Sequence, residues 1–259
     1  MDSRRRFDRR TFIGGSDARI IMGDDEAALH RLWKEKRGDI EPQDLSGDLL
    51  VQLGTVTEHL NRHWYEKNTG HVVTEVQRRM FHAVHRWMAA PLDGRVEAAG
   101  AVFEAKFMLP WNFSEEAAAE KHMAQLQHNM WVTASRTAVL SIITGGGKWV
   151  EMTIPADPLY QHLLLTAERK FWRCVQSGEP PRLFGIAPPR AGMVAVRVFS
   201  GFDSAAWALA SAVAIAPIVS LDRCIGDLQK LEADGTGFGA FGQQTMPQGF
   251  LGILRHELL

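Results

Sequence analysis

The sequence predicts a mixed α/β (α+β) fold, with a central sheet of about five strands flanked by helices. Three observations carry this. Segments with apolar residues at helical spacing, several opened by a capping residue or closed by glycine, recur from residue 16 to 178. Short β-branched or alternating runs fill 71–107 and 137–156 between them. At 259 residues, 46% hydrophobic and 23% charged, the chain is long enough and ordinary enough for a sizeable core.

Taken in order, "TFIGGSDARIIMG" (11–23) reads as an extended entry, a glycine turn and a helix with Ser16 as its N-cap. "DEAALHRLWKEKRGD" (25–39) places Leu29, Leu32 and Trp33 on one helical stripe and stops at Gly38. A helix from about Thr55 to Asn68 follows, with Leu60 and Trp64 expected on its buried face and Gly70 closing it. Residues 71–83, 86–96 and 100–107 read as strands, the last two joined by a tight link. "SEEAAAEKHMAQLQHNMWVTASR" (114–136) is a helix capped by Ser114, with acids in its first turn. Residues 137–144 and 148–156 form a hairpin across "GGG". A helix over 157–178 begins with an Asp cap and Pro158.

A proline-rich stretch, 179–190, ends this pattern. Beyond it, residues 186–259 hold five Lys or Arg and Gly-rich and Ala-rich runs. The sequence therefore divides into a domain over 1–185 and an appendage over 186–259, to which no function is assigned. Tryptophans 64, 87, 131 and 172 sit on apolar stripes and read as core.

Composition excludes several classes. Cys174 and Cys224 are too few for a disulfide framework or a four-cysteine cluster, and fit a reducing cytoplasm. The apolar run 205–219 is interrupted by Ser211 and Pro217 and is shorter than the roughly 20 residues of a membrane span. The N-terminal arginines precede no apolar signal segment. Net charge is −1, but Arg4, Arg5, Arg6, Arg9 and Arg10 cluster at the start, either as a solvated tail or as a phosphate-contacting arm.

The chemistry concentrates in "PLDGRVEAAGAVFEAKF" (91–107). On a strand, Glu104 and Lys106 share one face, while Phe103, Ala105 and Phe107 share the other. Asp93 and Glu104 are hard oxygen donors suited to Mg²⁺ or Mn²⁺. A neighbouring lysine can hold a water or a phosphate oxygen. These are the parts of metal-assisted phosphodiester hydrolysis. His59 and His63 are one turn apart, but Leu60 stands where a zinc protease carries its general-base Glu. "TGGGKW" (144–149) lacks the spacing of a phosphate loop and has Trp149 in place of Ser or Thr.

Asp93, ten residues, then Glu104-Ala105-Lys106, entered through Pro91, resembles the PD-(D/E)xK nuclease signature. The ordered segments "GGSDARIIMG", "GTVTEHLNRHWYEKNTG", "HMAQLQHNMWVT" and "FWRCVQSGEPP" around it resemble the YqaJ-type viral recombinase family, which includes the phage lambda exonuclease, over about residues 9–185. The resemblance implies a restriction-endonuclease-like core and a Mg²⁺- or Mn²⁺-dependent exonuclease acting 5′→3′ on double-stranded DNA ends. An endonuclease on the same core and a catalytically silent end-binding protein are the alternatives.

By the same resemblance Asp93, Glu104 and the helix acid Glu58 hold metal, and Lys106 is the catalytic lysine. Gln125 is the motif glutamine, favoured over Gln127 because positions two apart on a helix face different ways. Ser16, with Arg9 or Arg10, takes the 5′ phosphate; a glycine turn into a helix start is independently a suitable anion site. A single-strand annealing protein as partner and a ring-shaped trimer are implied likewise.

Overall fold

A computed structural model describes residues 8–111, 113–186 and 195–199. Five helices appear among them: α1 (Gly15–Ile21), α2 (Glu26–Arg37), α3 (Leu49–Thr69), α4 (Glu115–Thr133) and α5 (Pro158–Ser177). The strands are β1 (Val73–Thr74), β2 (Arg79–Phe81), β3 (Ala89–Pro91), β4 (Gly94–Val96), β5 (Ala101–Met108), β6 (Thr137–Thr144), β7 (Trp149–Pro155) and β8 (Ala195–Phe199). The arginines at 4–6, Cys224, the run at 205–219 and the remainder of the C-terminal segment lie outside the described residues.

Six strands form one sheet in the order β1-β4-β5-β6-β7-β8, and β2 pairs with β3 in a separate ribbon. Among the described residues, the larger sheet has one parallel pairing, β5 with β6, because α4 carries the chain back across one face between them. The β6–β7 hairpin turns at Thr144–Lys148, where Gly147 adopts φ +78°. The sixth strand, β8, pairs with β7 from beyond the proline-rich stretch.

Alternation along β5 assigns its two faces. Phe103 and Ala105 pack with Tyr65 of α3, Val139 and Trp149 on one side. Val102 packs with Leu140, Ile142 and the α4 residues Met123, Leu126 and Met130 on the other. The sheet is thus covered by α3 on one face and by α4, backed by α1 and α5, on the other.

Helix α4 is buried on all sides from His122 to Met130, although five of these nine residues are polar. Each of four finds a partner. Gln127 donates to the Pro155 carbonyl and accepts from the Asp157 N–H, which fixes the start of α5. His128 sits 2.8 Å from Glu168 of α5 and 3.0 Å from the Ala89 carbonyl. Gln125 and Asn129 both point at Glu104. Satisfied buried polar groups of this kind cost little and fix one arrangement.

Several sequence expectations are corrected. The strands expected over 71–83 and 86–96 are each broken in two, and Glu75 and Gln77 adopt left-handed φ of +51° and +56° at the first break. Helix α3 begins at Leu49, capped by Asp48, rather than at Thr55. Leu60 and Trp64 are exposed; the helix buries Asn61 and Tyr65 instead, one position further along. Asn61 donates to the carbonyls of Lys106 and Ser141 and accepts from the Ser141 hydroxyl, so a polar staple holds α3 on the sheet. Ser16 is not the N-cap of α1. Gly14 is, with its N–H bonded to the Asp17 carboxylate.

Candidate active site

Asp93 lies in the two-residue link between β3 and β4. Gly94 permits this link, since a β-carbon there would stand 2.3 Å from Val73 Cγ1. Asp93 Oδ2 accepts a 2.9 Å bond from the Ala105 N–H, tying the link to the middle of β5. On the α4 face of β5, Glu104 Oε1 accepts from Lys106 Nζ at 2.5 Å and from Gln125 Nε2 at 2.5 Å. Its Oε2 accepts from Asn129 Nδ2 at 3.2 Å. Glu104 is 2% exposed, while the Lys106 side chain keeps 24% of its surface open, so the pair faces solvent through the lysine.

The electrostatics follow from this crowding. Burial, then the charge of Glu104, holds Asp93 well above the usual carboxylate range; Lys106 opposes this and Glu58 adds to it. Burial pushes the Lys106 ammonium down, but Glu104 and Asp93 outweigh it and raise the group. His122, one turn before Gln125, is pushed down to about 2 by burial and by the cations Lys106 and Arg19. It stands as a neutral imidazole.

Two buried carboxylates with one compensating lysine leave negative charge that a divalent cation would relieve, and hard oxygens suit Mg²⁺ or Mn²⁺. Asp93 and Glu104 fit that task. Glu58 reaches toward Asp93 from α3, on the opposite side of β5, and accepts a hydrogen bond from Gln77. Among the described residues no three His, Cys, Asp or Glu side chains already stand at coordinating spacing. Glu58 is therefore within the field of the site without being a preformed third ligand.

The N-terminal turn reaches the same place. Gly15 abuts Gln125 and Asn129, which sets the start of α1 beside the Glu104 shell. Arg9 donates to Ser16 Oγ at 3.2 Å, whereas Arg10 pairs with Asp8. Asp17, beneath Ser16, is buried and bonded at 2.6 Å to Lys36 of α2, which also donates to the carbonyls of Arg9 and Phe12. The geometry brings together Asp93, Glu104, Lys106 and Gln125. Ser16 with Arg9 lies at the adjoining α1–α4 contact, Gln127 and Arg10 face elsewhere, and Glu58 approaches from across the sheet.

The model of the YqaJ-like viral recombinase domain matches residues 7–136, half of the chain. The chain belongs to the YqaJ-like viral recombinase domain family. Every site residue singled out in the sequence falls inside the matched span. The Bacillus subtilis (strain 168) protein YqaJ is 29% identical over 185 residues, which cover 69% of this chain and 58% of that protein. The chain thus spans less than two thirds of that relative.

Among solved structures, an alkaline exonuclease from Laribacter hongkongensis matches with TM-score 0.54 and 20% identity, over 66% of this chain and 90% of that one. Its complex with dAMP matches with TM-score 0.55 at 18% identity, over the same shares. A phage-related exonuclease from Haemophilus somnus 129PT matches with TM-score 0.50 at 13% identity, over 64% of this chain and 92% of that one. At these identities the likeness is one of fold.

Sequence reasoning missed three residues around this candidate site. Asn129 was legible as the position one turn beyond Gln125, on the same helix face. Arg19 stands three residues after Ser16, by the same rule. Gln77 left no local signal, because its approach to Glu58 depends on a left-handed turn that the sequence does not announce.

Proposed function

We propose that residues 1–185 form a Mg²⁺- or Mn²⁺-dependent deoxyribonuclease that digests duplex DNA from its ends, 5′→3′, in recombination of the phage type. The observation that carries this is the convergence of Asp93, Glu104, Lys106 and Gln125 on one partly open face. A divalent ion held by Asp93 and Glu104 would supply a polarised phosphate and an activated water. Gln125 and Asn129 orient the Glu104 carboxylate. Lys106 carries a proton in its raised range and presents a cation to charge developing on the phosphate. Arg9 and Ser16 lie where an end phosphate can be retained beside that centre. The exonucleases among the structural neighbours support the same reading by fold.

The test uses the purified full chain with linear duplexes differing only in 5′ phosphorylation, with Mg²⁺ and with EDTA, alongside a covalently closed plasmid. The expected outcome is metal-dependent loss of linear duplex, faster with the 5′ phosphate, and an intact plasmid. Cleavage of the closed circle instead indicates an endonuclease. Binding without hydrolysis in either metal indicates a silent end-binding protein. The same reading carries a cytoplasmic ring-shaped homotrimer with a single-strand annealing partner, which sedimentation and co-purification would check.

A further inference from the structure

Helix α1 brings a second cation to the site that no motif assigns. Gly15 packs against Gln125 and Asn129. One turn on, Arg19 lines a groove of about 340 Å³ with Glu120, Lys121 and Ala124, the α4 turn immediately before Gln125, and with Asp24 and Asp25 beyond the end of α1. The Arg19 side chain therefore runs along the same α1–α4 seam that holds the Glu104 shell. It is half-buried, and among the described residues it makes no hydrogen bond and has no carboxylate within 4.0 Å.

That combination is unusual for arginine. A guanidinium cannot shed its proton in a protein, so a half-buried one without a counter-ion pays for desolvation and gains nothing in return. Burial does lower it, and the charge of Glu104, too far for an ion pair, only partly offsets this. Burial, and after it the charges of Lys106 and Arg19, keeps His122 uncharged, so both cations act on one imidazole of α4. An anion entering the seam would satisfy the Arg19 fork, whose planar donors match phosphate oxygens.

We propose that Arg19 is a further phosphate-binding residue, contacting the substrate strand where it passes the Glu104–Lys106 pair. The proposal rests on the nuclease reading above. Its action is direct contact with a non-bridging phosphate oxygen, separate from the Ser16–Arg9 position.

The test measures binding of a 5′-phosphorylated duplex in EDTA across a KCl series, and kcat and KM in Mg²⁺, for the wild type, Arg19→Met, Arg19→Lys and the surface control Arg31→Gln. Among the described residues Arg31 pairs with Glu35 alone, on the exposed side of α2. One lost phosphate contact reduces the slope of log K against log salt by about 0.9. The expected result is that decrease in Arg19→Met with roughly tenfold weaker binding, a preserved slope with weaker binding in Arg19→Lys, and no change in Arg31→Gln. Weaker binding of Arg19→Met with the wild-type slope gives Arg19 a structural role and overturns the proposal. So does unaltered binding of Arg19→Met while the wild type digests DNA normally, and there the nuclease reading stands. A wild type that neither binds nor digests DNA overturns both.

Discussion

Gly15 meets Gln125 with no space for a β-carbon: one placed there would lie 2.8 Å from Gln125 Cγ and 2.7 Å from Asn129 Oδ1. Both side chains hold Glu104 by their amide nitrogens. The glycine is thus a spacer between the N-terminal turn and the side chains that hold Glu104. Gly15→Ala is expected to lose about 1–3 kcal/mol of stability by overpacking and to lower kcat by displacing Gln125. Chemical denaturation and steady-state digestion of linear duplex check both.

Gln125 and Gln127 are two residues apart and face different structures. Gln127→Ala orphans the Pro155 carbonyl and the Asp157 N–H, at a cost of about 1–3 kcal/mol. Its activity below the melting range should stay near that of the wild type. Gln125→Ala should show the reverse, a large fall in kcat with a smaller change in stability. Equal effects of the two on kcat would remove Gln125 from the site.

Lys106→Met keeps the side-chain length and removes the cation beside Glu104. Digestion of linear duplex should fall on the order of 10²–10³-fold, as for loss of one donor to developing charge. The midpoint of thermal unfolding should fall as well, because Glu104 is left buried without its cation, so activity is compared well below the melting range of both proteins. Near-normal turnover in this variant would exclude Lys106 from the chemistry.

Gln77 holds Glu58 while sitting at φ +56°, a conformation that costs a non-glycine residue about 1–2 kcal/mol. Gln77→Gly should therefore gain stability or leave it unchanged, yet free Glu58 and reduce activity at limiting Mg²⁺. A metal titration of initial rates separates this from a folding effect. Unchanged metal dependence would show that Glu58 acts without its Gln77 bond.

His128 and Glu168 make a fully buried pair between α4 and α5. Burial pushes His128 down, but the Glu168 charge, the bond to it and the Ala89 carbonyl raise it overall. A histidine raised in the folded state stabilises fully below its unfolded value and loses that contribution as pH climbs through the folded one. The stability gap between wild type and His128→Gln should then be about 3–5 kcal/mol at pH 6 and narrow as pH rises from there. Denaturation midpoints over that range check it; a gap that widens with pH would contradict the pairing.

Where side chains alternate or cap, the sequence was legible. The alternation of β5 assigned Glu104 and Lys106 to one face, and glycine closed α2, α3 and α5 as read. Where polar groups replaced apolar ones at a packing surface, it was not. Helix α3 docks through Asn61 and Tyr65, so a hydrophobic stripe pointed to Leu60 and Trp64, which face outward. The strand breaks near 75 and 92 escaped notice because residues other than glycine make the first turn, and the second is held by the Asp93 carboxylate accepting from the distant Ala105 N–H. The choice between Arg9 and Arg10 needed the fold, since it depends on which one the 3₁₀ turn at Arg9–Thr11 directs toward Ser16.

Lys36 touches no part of the Glu104 shell, yet its ammonium gathers the Arg9 carbonyl, the Phe12 carbonyl and the Asp17 carboxylate at one point. The position of the Arg9–Ser16 turn is consequently written into α2. Under the proposed function, changes in α2 would alter which DNA ends are accepted while leaving Asp93, Glu104 and Lys106 in place.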